Sequence, residues 1–337
     1  MRLYFFIYII MRFLWLSTQS PFVNLATEEY LLTHSSEDIF MLWQNADSVI
    51  IGRHQNTLAE IDQDFVEKNK IVIARRLTGG GAVFHDLGNI NFSFIQNINP
   101  QEKEINFIKY LQPIVDALQS LGIPANFSGR NDIHIHDKKI SGNAMAFYGN
   151  RALEHGTLLF STAQTNLAQA LKVDPAKFSD KAVKSVRSRV TNISEHLPTP
   201  MSVLEFKDYL MDFVMKQYGN ASISSLSEEE QKAIQKLAKD KFSTWEWNYG
   251  QSPKYSVNKK TKTQGGIIQA MMEIKNGRIS GLRFYGDFFS KKEPDELVPK
   301  FIGIPHEESA ISEILQQLDI EEYFNGVSTD DMLELLR

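Results

Sequence analysis

The stretch RRLTGGGAVFHDLGN, Arg75 to Asn89, sets two arginines beside three consecutive glycines. Guanidinium groups hold phosphate through a planar fork of N–H donors. Glycine lets a backbone approach a ligand closely and take positive φ. Successive backbone N–H groups in such a turn can form an anion-binding nest. The chemistry suggested is a grip on a phosphate-bearing ligand. The run is not a Walker loop, because no Gly-Lys-Ser/Thr closes it. It is not a dinucleotide fingerprint either, because Phe84 stands where the third glycine belongs and no helix pattern follows. The competing reading is a glycine bulge needed for sheet geometry. Strand alternation sends Arg75 and Arg76 to opposite faces, so one of them faces a ligand.

A second cluster follows. Ser128-Gly-Arg-Asn-Asp132 precedes a short hairpin and then Lys139-Ile-Ser-Gly142. Lone lysines are usually solvated, but Ile140 and a run of small residues beside Lys139 leave a route for its ammonium into a cleft. Asp132 could face Mg²⁺, which takes one or two carboxylates plus substrate phosphates, or could simply bond within its turn. His134 and His136 form an H-x-H on one strand face, which could be a metal pair but shows no third ligand, and they read as solvated strand residues. His85 and His155 sit near glycines, either lining a pocket or satisfied in the core. Lys181 to Asn192 carries four positive charges in twelve residues with no helical or strand period. It is either a solvated loop or a cover over a bound anion.

These residues need elements to hold them. Asn24 to Leu32 has helical spacing, with Asn24 as its N-cap. IFMLWQ, SVIIG, KIVIARR, AVFHD and INFSFI are strand-like runs separated by turns, so the glycines lie in a meander. Glu104 to Leu121 is an amphipathic helix that Pro113 should kink or restart and Gly122 should end. Asn131 to Phe147 gives two strands around Asp137-Lys138, and Ala152 to Ser161 a further strand. Ser202 and Ser227 open helices with capping boxes. From Trp245 to Pro253 the pattern changes. Beyond it, Gly266–Glu273 and Arg278–Tyr285 form a hairpin around Lys275 to Gly277, and helices around Glu307–Leu318 and Ser328–Leu336 close the chain.

The whole chain sets bounds. Its 337 residues suit one large domain plus a small one. With 42% hydrophobic and 23% charged residues it reads as a soluble globular protein. A net charge of -5 argues against broad nucleic-acid binding. There is no cysteine, hence no disulfide, zinc-thiolate site or cysteine nucleophile, which fits a reducing compartment. The apolar start, MRLYFFIYIIMRFLWL, is broken by Arg12. Its run from Leu3 to Met11 falls short of the roughly 20 residues of a membrane span, and no cleavage site follows. It reads as a first buried strand, with residues 1–10 a possible extension upstream of Met11.

In this order, RRLTGGGAVFHDLGN, SGRNDI, KISGNA, HGTLLF, KSVRSRVTN and WEWNYG resemble the lipoate–protein ligase A family, from about Phe22 to the end of the chain. The resemblance implies an α/β (α+β) fold of the biotin/lipoate ligase type, class II synthetase-like, with a central mixed sheet. It implies a catalytic domain over 1–245 and a small α+β accessory domain over 246–337. It implies a ligase that converts lipoate and ATP, with Mg²⁺, to lipoyl-AMP. The lipoyl group then passes to a lysine of lipoyl domains of 2-oxo acid dehydrogenase complexes or of the glycine cleavage H protein. The setting implied is cytoplasmic, with no membrane and no nucleic acid.

The implied roles fall on residues already singled out. Lys139 contacts both lipoyl carbonyl and phosphate, and Asp132 faces the phosphate or magnesium. Arg76, Gly80, Gly81, Ala82, Val83 and Phe84, with Ser185 and Arg187 of the basic loop, bind ATP and the adenylate. Leu77, Gly79, Gly80, His85 and His155 line the lipoate side. Both steps build negative charge near phosphorus and carbonyl oxygen, where fixed donors act without reorganisation. The acceptor lysine must also shed a proton, and its base is left open. The absent cysteine closes the thioester route of related octanoyltransferases. Alternatives are a non-catalytic lipoate or adenylate sensor, or a ligase preferring octanoate or another short acyl acid.

Overall fold

The computed structural model describes residues 11–99, 105–163, 169–171, 190–219, 223–249, 257–275 and 277–337. Residues 1–10, Gly250 to Pro253 and residues 181–189 of the basic loop, with Ser185 and Arg187, lie outside the described residues. The chain forms two compact units. The first is drawn from residues 11–48, 85–163 and 190–242, the second from 49–84, 169–171 and 243–337.

The first unit is built on a seven-stranded sheet. Its strands are β1 (Met11–Trp15), β2 (Asp38–Trp43), β6 (Asn89–Asn97), β7 (Ala125–Ser128), β8 (Asp132–Ile135), β9 (Lys138–Tyr148) and β10 (Arg151–Leu159), in the order β1-β2-β6-β10-β9-β8-β7. β1 and β2 run parallel and the other neighbours antiparallel, so the sheet is mixed as expected. β6 and β10 are central, and nearly every residue in them is buried. Such strands lose the polar/apolar alternation of a half-exposed sheet.

The first helix runs Pro21–His34 with Ser20 at its N-cap, not Asn24. Pro21 is preset for the first helical position and lacks only an N–H that would go unbonded there. Asn24 is instead buried inside the helix, where its Nδ2 donates to Gln44 O and Asn45 Oδ1 at 2.8 Å each. The helix Phe107–Ser120 continues through Pro113 rather than restarting. Its buried face, with Leu111, Ile114 and Leu118, offsets the lost backbone bond. Gly122, at φ +80°, follows its end. Ser202 and Ser227 form complete capping boxes on the helices Val203–Gln217 and Glu228–Leu237, as their spacing predicts.

The second unit has two three-stranded sheets. One contains β3 (Ser48–Ile51), β4 (Val72–Arg75) and β5 (Val83–His85) in the order β4-β3-β5. The other is the antiparallel run β11 (Val257–Thr263), β12 (Gly266–Lys275) and β13 (Arg278–Gly286). Its apolar face, with Ile268, Met272 and Phe284, packs with residues of the helices Glu308–Leu315 and Thr329–Leu336 around Phe288, Phe301 and Phe324. Among the described residues no helix is long and apolar enough to cross a membrane.

Candidate functional site

In the first unit, Lys139 and Asp132 come together. Asp132 pairs with Gly142 across β8 and β9, and the register then slips between Ile133 and His134. A slip of this kind re-aims side chains near a strand end. Lys139 Nζ lies 2.9 Å from Asp132 Oδ1, and both side chains keep about a third of their surface exposed (35% and 27%). Gly142 makes room for this: a Cβ there would sit 2.7 Å from Lys139 Nζ. The Lys139 backbone is fixed too, since Thr191 N donates to its carbonyl at 3.1 Å. Thus the described end of the basic motif, Val190 to Asn192, docks on the strand that carries the lysine. Asn131 and Asn143 tie the SGRND and KISGN motifs together through reciprocal side-chain-to-backbone hydrogen bonds.

Two histidines are held by buried networks. His155 Nδ1 donates to Glu28 Oε1 at 2.8 Å, and the same oxygen accepts from Ser93 Oγ at 2.6 Å. Trp43 Nε1 donates to that serine hydroxyl at 2.9 Å. His85 Nδ1 accepts from Asn45 Nδ2 at 3.0 Å, which leaves the neutral ring's proton on Nε2. Glu28, Ser93, Trp43 and Asn45 were missed as supports. Each looks like an ordinary helix or strand residue in sequence, and only the packing joins them.

The next residue to His155 along β10, Glu154, is fully buried, and among the described residues neither of its carboxylate oxygens has a hydrogen-bond partner. Burial, and then the charge of Glu28, pushes its carboxyl well above the usual range. His134 lies 3.8 Å from Asp132 Oδ2, whereas His136 sits in the left-handed turn at φ +54°. The H-x-H pair therefore does not share one strand face. Among the described residues no group of three or more His, Asp or Glu comes together as a metal site.

The second unit holds the arginines and glycines. Both arginines are buried, with Arg75 6% and Arg76 5% exposed. Arg76 donates to Thr78 Oγ1, Ile50 O, Gly79 O and Gly81 O at 2.6–3.1 Å. Arg75 reaches a different set: the carbonyls of Gly52, Arg53, Gln55, Trp247 and Asn248, and Thr57 Oγ1. The strand β4 ends at Arg75, so Arg76 lies just past it and bonds within the turn that follows and to Ile50.

The three glycines stand in three different settings. A Cβ on Gly79 would lie 2.2 Å from Phe288 O. Gly80 has φ +87°, and its N–H donates to Phe288 O at 3.2 Å. Among the described residues nothing lies within 4 Å of a Cβ on Gly81, which with Ala82 and Val83 is partly exposed, while Leu77 is partly buried and Phe84 fully so.

Residues 20–214 match the lipoyl protein ligase A/B catalytic domain, and residues 252–336 match the bacterial lipoate protein ligase C-terminus. The chain belongs to the lipoyl protein ligase A/B family. It is 39% identical to lipoate-protein ligase LplJ of Bacillus subtilis (strain 168) over 320 residues, 94% of this chain and 96% of that protein. A bipartite lipoate protein ligase from Thermoplasma acidophilum, solved with its E2 lipoyl domain, is 33% identical with a TM-score of 0.65, over 74% of this chain and 100% of that one. A lipoate-protein ligase A bound with ATP is 29% identical with a TM-score of 0.61, over 71% and 98%.

Proposed function

We propose that the protein uses ATP to join lipoate to a lysine of an acceptor protein. It is an ATP-dependent lipoate–protein ligase. The observation that carries the reading is Lys139, whose ammonium lies over Gly142 beside Asp132, in a chain so close to lipoate ligases. In the first step a lipoate carboxylate oxygen attacks the α-phosphorus of ATP. The bond to the β-phosphate bridge breaks and pyrophosphate leaves. In the second, a lysine amine attacks the acyl carbonyl, AMP leaves and the amine loses a proton.

Lys139 is assigned to both steps. Its ammonium offsets charge growing on phosphate and carbonyl oxygens, and one fixed donor of this kind is worth roughly 100–1,000-fold in rate. Asp132 aims that ammonium. Arg76 acts on the adenylate through its charge and by holding Gly79 and Gly81, while Gly80 to Phe84 supply backbone beside the nucleotide. Ser185 and Arg187 are assigned to the same ligand, and Leu77, Gly79, His85 and His155 to the lipoate side.

Asp132 is a poor resident magnesium site, because its one carboxylate is already ion-paired with Lys139. Mg²⁺ therefore belongs here as the counter-ion of substrate ATP. The acceptors are lipoyl domains of 2-oxo acid dehydrogenase complexes and the glycine cleavage H protein, met in the cytoplasm. The catalytic work is assigned to residues up to 245 and the accessory role to 246–337. Incubation of the chain with ATP, Mg²⁺, lipoate and an apo lipoyl domain should add one lipoyl mass to the acceptor, read by mass spectrometry. An acceptor of unchanged mass overturns the reading.

A further inference from the structure

Lys139 lies near the start of β9, where the sheet gives its backbone little support. Among the described residues the pairing of β9 with β10 ends at Asn143 and Gly156, so the stretch from Lys139 to Gly142 has no ladder partner in β10. On the other side β8 pairs His134 with Lys139, just past the register slip. Strand ends with few ladder bonds open most readily. Val190 and Thr191 take the open side. Val190 forms a parallel bridge with Lys139, and Thr191 N donates to Lys139 O at 3.1 Å.

That short segment is itself braced by side chains. Thr191 is buried, and its hydroxyl donates to Glu195 Oε2 at 3.3 Å. A hydroxyl has a single proton, so the 2.9 Å bond between Thr191 Oγ1 and His196 Nε2 is donated by the imidazole. Asn192 adds a strand-like pair through its side chain: Oδ1 accepts from Thr162 N at 3.0 Å, and Nδ2 donates to Thr162 O at 3.3 Å. Ser194 N donates to Phe160 O at 3.0 Å. Phe160 to Thr162 follow directly on β10, which is buried along its length. Lys139 is thus tied through Thr191 to the central strands of its sheet.

Any residue but proline would supply the N–H at position 191. The hydroxyl is what threonine adds, and it meets both Glu195 and His196. A valine there would keep nearly the same shape and the N–H, and lose both side-chain bonds. A threonine that only stabilised the fold would change the melting point and leave turnover by the folded enzyme intact.

We propose that Thr191 is a positioning residue for Lys139. Its hydroxyl, held between Glu195 and His196, sets the segment whose N–H fixes the Lys139 backbone, and so keeps the ammonium over Gly142. Thr191 acts through Lys139 rather than on the substrates. The inference rests on the lipoate ligase reading of Lys139.

The test is steady-state lipoylation of an apo lipoyl domain by the full chain and by Thr191→Val, Thr191→Ser and His196→Ala variants, with the thermal midpoint of each. Misplacing a catalytic group by about 1 Å can cost roughly 100-fold in rate, and a loosened anchor should cost part of that, roughly tenfold in kcat for Thr191→Val. KM for ATP and lipoate should stay within about twofold of wild type, because Lys139 is assigned to the transition states. Thr191→Ser keeps the hydroxyl and should restore most of the lost rate. His196→Ala removes one of the two bonds and should fall between them. A wild-type kcat in Thr191→Val overturns the inference, as does a raised KM at unchanged kcat, or a Thr191→Ser as slow as Thr191→Val. Should Thr191→Val not fold, a wild-type kcat in His196→Ala overturns it instead. Absence of ligation by the wild-type chain overturns the lipoate reading and this inference with it, whereas an active wild type beside a fully active Thr191→Val overturns the inference alone.

Discussion

Lys139 and Arg75 are both cations in short motifs, yet the structure treats them in opposite ways. Lys139 keeps about a third of its side chain exposed and is ion-paired with Asp132. Arg75 is buried and surrounded by neutral carbonyls. A half-exposed ammonium beside one carboxylate can turn to a ligand. A buried guanidinium with all its donors in use holds backbone together and can only lend its field. The same contrast runs through the glycines, with Gly79 closed in by Phe288 and Gly81 open.

Mutation can break this contrast, and the largest effect should come from Lys139→Ala. It should lower ATP- and lipoate-dependent pyrophosphate release by roughly 100-fold or more, with a thermal midpoint close to wild type. Release at the wild-type rate would remove Lys139 from the chemistry. Gly79→Ala should act on the fold, because its methyl meets Phe288 O at 2.2 Å. Overpacking of this kind costs about 1–3 kcal/mol, read as a lower denaturant midpoint.

Glu154 sharpens the point about burial. Its carboxyl is raised in the folded state, so folding favours its neutral form. That preference costs nothing below the unfolded carboxyl pKa and destabilises increasingly as pH rises above it. Glu154→Gln should therefore melt higher than wild type at pH 7, with the gap closing towards pH 4. A gap that does not change with pH would show that Glu154 is not held neutral. Smallest of all should be Gly81→Ala, which has open space and no positive φ. Its melting point should stay within about 2 °C of wild type, an ordinary surface effect of ±0.5 kcal/mol, so any loss of ligation would report on ligand approach.

Much of this was legible in the chain. Capping boxes at Ser202 and Ser227 are local, and local patterns survive into the fold. The Asn24 cap failed because Pro21 outranked it, and a restart at Pro113 failed because a buried face held the helix together. The Lys139–Asp132 pair spans one hairpin, so short spacing foreshadowed it. Glu28 with His155, 127 residues away, had no such signal.

The sequence by itself determined the motifs, the strand and helix periods, and the chemistry closed off by a chain without cysteine. Residue type and spacing act locally, so they can be read from the chain alone. Only the tertiary structure decided which charges stay wet and which are buried, that the stretch from Val49 to Phe84 groups with the C-terminal residues, and why Gly79 and Gly80 must be glycine. Burial and close approach are set by what else packs there, and for Arg75, Gly79 and Gly80 a partner lies some 170–210 residues further along the chain.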